Sequence, residues 1–154
     1  MPTGIALAPS RRLAYVTNLS AGTVSVIRIE PPQLLANISV PGDPWGVAIM
    51  PDASAAYVSN SAADTVSVVD LETNAAGPAI PVGSIPTGIA IAPDGGRAYV
   101  ANSGSGTVSV VETATNRVAA TVPVGQTPVA VAITPDGATD NPCMWPIRLR
   151  ATSP

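Results

Sequence analysis

Three asparagine side chains recur at a constant spacing and are the first candidates for a binding function. They are Asn18, Asn60 and Asn102, each 42 residues after the one before. Amides at equivalent positions of a repeat could together contact a ligand. An asparagine side chain also bonds readily to backbone in a turn, so we predict that each one forms an Asx turn in the loop that follows it.

Three aspartates, each preceded by a proline, recur with the same period. They are Asp52, Asp94 and Asp136. A cation site needs several oxygens that converge on one point, whereas a single aspartate after a proline is common in turns. We therefore predict that these residues form turns. The first repeat has Ser10 at this position, and Arg11 and Arg12, which follow it at the tip of the turn, are predicted to lie in a solvated loop.

The composition excludes several catalytic chemistries. The chain has no histidine, and its basic residues are all arginines, seven against ten acidic residues. Without histidine there is no Ser-His-Asp or Cys-His machinery and no histidine-ligated zinc. Without lysine there is no Schiff base and no P-loop. A net charge of -3 with scattered arginines lacks the basic stripe of nucleic-acid-binding proteins.

We accordingly predict no catalytic, cofactor-binding or metal-binding residues in this chain. The single Cys143 has no base to activate it and is interpreted as an incidental thiol. No apolar run is long enough to span a bilayer, and the first ten residues do not resemble a secretory signal.

Trp45 is an aromatic residue at a repeat position where the other units have none. It stands where the other units have Thr3, Thr87 and Val129, just before the first strand of its unit. An aromatic residue that is not repeated could contact a partner. The alternative is that Trp45 covers apolar surface between neighbouring units.

The elements that position these residues belong to a repeat with a 42-residue period. Each unit opens on a short motif, as in Pro2–Ala6, Pro44–Ala48, Pro86–Ala90 and Pro128–Ala132. Four short β-branched or apolar segments follow in each unit, with Pro, Gly, Asp and Asn between them. This pattern predicts four antiparallel strands per unit, which is the blade of a β-propeller.

The strands of a predicted blade can be ordered from the axis outward. The first strand has a glycine near its start and small side chains, which suits a crowded inner position. The fourth strand contains Pro81 in one unit and Pro123 in the next, and proline is confined to sheet edges. We predict an all-β fold with the first strand innermost and the fourth at the outer edge. Tyr15, Tyr57 and Tyr99 recur on the second strand and are predicted to be buried structural residues.

The repeat also sets the predicted boundaries. Blades cover residues 2–43, 44–85 and 86–127, a partial blade covers 128–142, and residues 143–154 form a tail outside the repeat. Three and a fraction blades make an incomplete ring, since closure needs at least four. The chain is therefore a fragment of a longer propeller, a protomer that completes its ring with another copy, or an open arc. Its open end blades favour self-association, and the tail is expected to be poorly ordered.

The repeated motifs resemble those of the YVTN family of β-propeller repeats. They are the Tyr-Val-x-Asn strand, the Thr-Val-Ser-Val strand after it, the Pro-x-Gly-Ile-Ala opening, and the Val-Gly pairs at 82–83 and 124–125. The resemblance implies a propeller that is usually seven-bladed, often exported or on the cell surface, and mostly without an assigned activity.

From this resemblance we expect a non-catalytic module that binds a protein or small ligand at the propeller face, or that has a structural role. Its location would be extracellular, periplasmic or on the cell surface. The alternative is a piece of a propeller enzyme, similar to a lactonase or to a subunit of a quinone-dependent dehydrogenase, whose active site lies in other blades.

Overall fold

The computed structural model describes residues 1–134 and the backbone of residues 147–148. Within them the chain is built from β-strands, and its only helical elements are two three-residue 3-10 turns, Pro9–Arg11 and Leu19–Ala21. The predicted all-β fold is confirmed. No helix among these residues is long and apolar enough to cross a membrane.

Three four-stranded antiparallel sheets follow one another along the chain. The first sheet, blade 1, contains β1 (Pro2–Ala8), β2 (Leu13–Asn18), β3 (Thr23–Arg28) and β4 (Gln33–Ser39). Blade 2 contains β5 (Pro44–Ile49), β6 (Ala55–Asn60), β7 (Thr65–Asp70) and β8 (Ala75–Pro81). Blade 3 contains β9 (Pro86–Ile91), β10 (Arg97–Asn102), β11 (Thr107–Glu112) and β12 (Arg117–Pro123).

The strands of each sheet follow one another in chain order, so the fourth strand lies at an edge of its sheet. This order places Pro81 and Pro123 at sheet edges, as predicted. Pro81 ends β8 and Pro123 ends β12, and both strands lie at the edge of their sheets. An edge strand tolerates proline because one row of its backbone groups has no partner strand.

The sheets are arranged around a common inner edge. The first strands β1, β5 and β9 contact one another from blade to blade, whereas the fourth strands meet only at a few points. Strands that converge on one side and spread on the other are typical of propeller blades around an axis. The three blades form an incomplete ring, as the sequence predicts.

The hydrophobic core lies between blades and not within any one of them. Tyr15, Val24 and Val26 of blade 1 pack against Val58 and Val69 of blade 2. The next boundary repeats this arrangement with Tyr57 and Val66 against blade 3, and Tyr99 packs toward the start of the fourth unit. All three tyrosines are buried. Neighbouring blades therefore stabilise one another across these cores.

The fourth unit begins with a two-stranded ladder. Its strands are β13 (Ala132–Ile133) and β14 (Ile147–Arg148), which pair antiparallel. β14 comes from the segment that the repeat leaves unassigned, and its backbone pairs with β13 where a second strand pairs with a first strand in the complete blades. The rest of the tail, including Cys143, lies outside the described residues, as does Asp136.

Candidate interaction surface at the inner strands

Trp45 lies on β5, the innermost strand of blade 2, near the strand's first residue. Its side chain is 39% exposed. The preceding residue, Pro44, is paired with Asn60 across the sheet, so Trp45 lies at the end of the arc that carries the asparagine loops. The strand register is irregular between Pro44 and Val47.

The backbone of Trp45 links two blades. The hydroxyl of Thr17, on β2, donates to the Trp45 carbonyl oxygen at 2.7 Å and accepts the amide N–H of Gly4 at 2.8 Å. Ser59 repeats this arrangement one blade later: its Oγ accepts the N–H of Gly46 and donates to the Thr87 carbonyl at 2.5 Å. Both hydroxyls are fully buried.

Thr17 and Ser59 occupy the variable position of the Tyr-Val-x-Asn strand, which sequence reasoning left without a role. The signal was present, because a small hydroxyl stands there in two of three repeats. In blade 3 the residue is Ala101, and Gly88 instead donates its N–H directly to the Val129 carbonyl at 3.1 Å. Each boundary is thus joined at its inner edge, by a hydroxyl of the second strand in two cases and by a glycine N–H in the third.

Glycine is needed at the start of each inner strand because neighbouring backbones approach closely. A Cβ on Gly46 would lie 2.5 Å from the Thr87 carbonyl oxygen, and one on Gly4 would lie 2.7 Å from that of Trp45. These distances are too short for any side chain, which confirms the crowding expected from the sequence.

At the Trp45 position, blades 1 and 3 carry a threonine that bonds to the next blade. Thr3 Oγ1 donates to the Pro44 carbonyl at 3.1 Å, and Thr87 Oγ1 lies 3.3 Å from the Pro128 carbonyl. Trp45 has no hydroxyl to continue this series. Its indole makes no hydrogen bond to the residues that the structure describes. The aromatic side chain is therefore exposed where its two counterparts hold blades together.

The asparagines do not form the Asx turns predicted for them, and that prediction is wrong. The side chain of Asn18 points across to β3, where Nδ2 donates to Thr23 Oγ1 at 3.3 Å and to Ser25 Oγ at 2.8 Å. Asn102 makes the same pair of contacts on β11. The reason is register: each asparagine is the last residue of its strand and directly faces the first threonine of the next strand.

Asn60 also contacts the chain that enters its blade. In the orientation that satisfies both ends of the amide, Nδ2 donates to the Pro41 carbonyl at 3.2 Å, and Oδ1 accepts the N–H of Ser67 at 3.3 Å. Its side chain is completely buried. The amide thus ties β6, β7 and the linker from blade 1 together and is unavailable to a ligand.

The aspartates cap turns, as the sequence predicts. Asp52 accepts the N–H and hydroxyl of Ser54 at 2.9 and 2.7 Å, and Asp94 accepts the N–H of Gly96 at 2.8 Å. The hydrogen bond from the Ser54 hydroxyl, followed by that from its backbone, lowers the pKa of the Asp52 carboxyl. Across residues 1–134 and 147–148, no group of three His, Cys, Asp or Glu lies together in a way that could hold a metal ion.

Two further side chains cross blade boundaries at the opposite end of the strands. Arg11, expected in a solvated loop, is exposed, but its Nη1 donates to the Leu71 carbonyl of blade 2 at 2.8 Å. The Tyr57 hydroxyl donates to Asn116 Oδ1 of blade 3 at 2.6 Å. Burial raises the pKa of the Tyr57 phenol.

Comparison with known families agrees with this geometry. The model of the YNCE-like beta-propeller family matches residues 13–139, which is most of the sequence. The chain belongs to the YNCE-like β-propeller family. Its predicted propeller architecture is thereby confirmed, while the more specific YVTN resemblance stays an interpretation of the motifs. No curated protein matches the sequence.

Solved structures similar to this member of the family include two that extend well beyond it. One is titled Kuenenia stuttgartiensis hydrazine synthase, with a TM-score of 0.85 and 32% identity over 88% of this chain and 40% of that chain. Another is a functionally unknown protein from Desulfotomaculum acetoxidans DSM 771, with a TM-score of 0.77 and 21% identity over 88% of this chain and 46% of that one. The similarity to the Desulfotomaculum acetoxidans protein, at 21% identity, shows a shared fold alone. The chain spans less than half the length of either structure.

Proposed function

We propose that this chain is a non-catalytic propeller module whose binding surface is the end of the inner strands around Trp45. The observation that carries the proposal is that tryptophan stands at a repeat position where blades 1 and 3 have threonine. The hydroxyls of Thr3 and Thr87 bond to the following blade. Trp45 has no hydroxyl to make this bond, and the residue is 39% exposed. Partly exposed tryptophans are enriched among the residues that dominate binding energy at protein interfaces.

The surroundings of Trp45 support a fixed position for the indole. Its carbonyl oxygen accepts hydrogen bonds from Thr17 at 2.7 Å and from Thr3 at 2.9 Å, both from the preceding blade. A backbone held on two sides restricts where its side chain can point. An aromatic residue that is already ordered loses little conformational entropy when a partner binds. The partner is a protein or a small ligand at this face, at the cell surface, in the periplasm or outside the cell.

Site-specific photo-crosslinking tests this proposal and captures the partner in the same step. A photoreactive phenylalanine analogue is placed at Trp45 in one variant and, as the matched control, at the exposed Leu35 on the outer strand β4 in another. After irradiation in an extract of the source organism, a discrete adduct is expected from position 45 only. Equal adducts from both positions, or none from position 45, would contradict the proposed surface.

A second candidate function is that of a segment within a propeller enzyme, lactonase-like or a subunit of a quinone-dependent dehydrogenase. The similarity to a structure titled hydrazine synthase, at 32% identity, favours this candidate because it relates such an arc to an enzyme. In that case catalytic residues would lie in further blades. Reading the coding DNA on both sides of this segment decides between the two: blades that bring histidines and clustered carboxylates to the channel favour the enzyme.

A further inference from the structure

The charged side chains are divided unevenly between the two ends of the strands. Every arginine within residues 1–134 lies at the end that carries the turns after β1, β5 and β9. These arginines are Arg11, Arg12, Arg28, Arg97 and Arg117. The opposite end, called here the asparagine-loop end, carries Trp45 and the loops that follow Asn18, Asn60 and Asn102. Its charged side chains within the same residues are both carboxylates, those of Asp43 and Asp64.

Both carboxylates flank blade 2, the blade that contains Trp45. Asp43 lies two residues before Trp45 on the linker that enters the blade, and Asp64 ends the loop between β6 and β7. Both aspartates are exposed. Hydrogen bonds join this loop to the linker, because the N–H and the hydroxyl of Ser61 both donate to the Asp43 carbonyl at 3.0 Å. One end of a single blade therefore carries an exposed indole and two exposed carboxylates.

The two aspartates depart from the repeat, as Trp45 does. The neighbouring units have uncharged residues at both positions. The equivalent residues are Ile85 and Thr127 for Asp43, and Gly22 and Gly106 for Asp64. The aromatic side chain and both negative charges of the asparagine-loop end are thus concentrated at blade 2.

The hydrogen bonds of the aspartates leave carboxylate oxygens for a partner. Asp64 Oδ1 accepts the N–H of Ile85 at 2.8 Å, which leaves Oδ2. The bond is not a general requirement for joining blades, since glycine stands at the same position in blades 1 and 3. The carboxylate of Asp43 makes no hydrogen bond within the part of the chain that the structure describes.

We propose that the partner at this surface presents a cationic side chain, an arginine or lysine of a protein segment, to Trp45 and the two carboxylates. This inference rests on the proposed function, because it concerns the same surface. The face of an indole attracts a cation, and carboxylates form charge-assisted hydrogen bonds with arginine and lysine. An anionic partner, a nucleic acid included, would meet side chains of its own sign at this end of the described chain.

Fluorescence anisotropy with two short peptides tests the inference. The probe is a fluorescein-labelled peptide of glycine and serine that contains several arginines. In the matched probe citrulline replaces each arginine, which keeps the shape of the side chain and removes its charge. The wild type is expected to bind the arginine probe about tenfold more tightly or better at low salt. This preference should decrease as ionic strength rises.

Two double variants locate the binding site of the arginine probe. Asp43→Asn with Asp64→Asn removes both charges and keeps an oxygen that can accept the Ile85 N–H. It should weaken binding of the arginine probe about tenfold. The matched control is Asp52→Asn with Asp94→Asn, which changes the net charge equally at the opposite end and keeps the turn acceptors. The control should bind as the wild type does, and urea melts verify that both variants are folded.

Several results would overturn the inference. Equal binding of the arginine and citrulline probes, or no binding of either, would show that the surface does not recognise a cation. Equal weakening by the two double variants would indicate non-specific attraction to an acidic protein.

Two outcomes separate this inference from the proposed function. If crosslinking at position 45 captures a partner but the arginine probe is not preferred, the proposed function stands and the cationic partner is wrong. If the arginine probe is lost on removing the two carboxylates but binds Trp45→Thr as tightly as the wild type, the cationic partner stands and the proposed role of Trp45 is wrong.

Discussion

The Thr17 hydroxyl donates a hydrogen bond to the Trp45 carbonyl oxygen, 2.7 Å away across the boundary between blades 1 and 2. The same hydroxyl accepts the amide N–H of Gly4. One buried oxygen atom thus satisfies a donor of its own blade and an acceptor of the next. This contact positions the backbone of Trp45, the residue whose side chain we propose to serve binding.

Replacing Thr17 with valine should test the importance of this contact. Valine has nearly the same shape but leaves the Gly4 N–H without its hydroxyl acceptor and removes one of the two hydroxyl donors to the Trp45 carbonyl. An unsatisfied buried polar group costs roughly 1–3 kcal/mol, so we expect a loss of stability in that range. The control is Thr121→Val on the exposed outer strand β12, which should change stability by less than about 0.5 kcal/mol. Urea unfolding with unchanged m values measures both.

The close approach of inner strands predicts a large difference between two glycine substitutions. Gly46→Ala puts a methyl group 2.5 Å from the Thr87 carbonyl oxygen, whereas in Gly77→Ala the nearest atom is 3.4 Å away on the outer strand. Overpacking of this kind typically costs about 1–3 kcal/mol or more. Gly77→Ala should be neutral or slightly stabilising, since it reduces the entropy of the unfolded chain. Equal melting temperatures for the two variants would contradict the inner-edge packing.

Two buried tyrosine hydroxyls differ in their partners and should respond differently to removal. The Tyr57 hydroxyl bonds to Asn116, while that of Tyr15 has no hydrogen bond to the residues that the structure describes. Tyr57→Phe should therefore cost about 0.5–1.5 kcal/mol, and Tyr15→Phe should cost less or stabilise the fold. Truncation of the whole ring, as in Tyr57→Ala, should cost roughly 3 kcal/mol or more. Chemical denaturation ranks the three variants.

The buried phenols also predict loss of stability in alkali. Burial raises the pKa of Tyr57 above its ordinary value of 10.0, and burial raises that of Tyr15 against a smaller opposing effect of Arg11. Above that ordinary value the unfolded chain loses phenolic protons that the folded chain retains, so the free energy of unfolding falls as pH rises. Thermal melts across this pH range should show the fall. The double variant Tyr15→Phe, Tyr57→Phe should show a weaker pH dependence; an unchanged slope would exclude these phenols as its source.

Much of the fold could be predicted from the sequence because it depends on periodic features. The 42-residue repeat identified the blades, Pro81 and Pro123 located the outer edges, and the opening glycines indicated the crowded inner strands. Such properties follow from backbone geometry, which residue type constrains directly. Burial of Tyr15, Tyr57 and Tyr99 could also be predicted, because they recur at the same strand position in each unit.

The contacts between blades could not be predicted, since they depend on which atoms face each other across a boundary. The sequence predicts that the Asn18 side chain bonds to the backbone of the following loop, yet it bonds to hydroxyls on β3, which the strand register brings opposite it. Thr17 lies at a variable position of its motif, and only the fold shows that it faces the Trp45 carbonyl. Arg11 was treated as a solvated residue although it reaches Leu71 of the next blade.

The substitution Trp45→Thr tests the central claim, that the indole serves binding and the backbone serves structure. The hydrogen bonds at this residue use its carbonyl oxygen, which the substitution retains. Thr3 and Thr87 show that a threonine fits the position and bonds to the next blade. The variant should therefore be about as stable as the wild type, or slightly more so.

The deciding measurement is the dissociation constant of Trp45→Thr for the partner captured by crosslinking, taken together with its urea melt. We predict an unchanged or higher unfolding midpoint and an affinity reduced about thirtyfold or more, since tryptophan hot spots typically cost about 2 kcal/mol or above. A variant that unfolds readily, or that binds the partner as tightly as the wild type, would contradict the account and show that Trp45 is a packing residue.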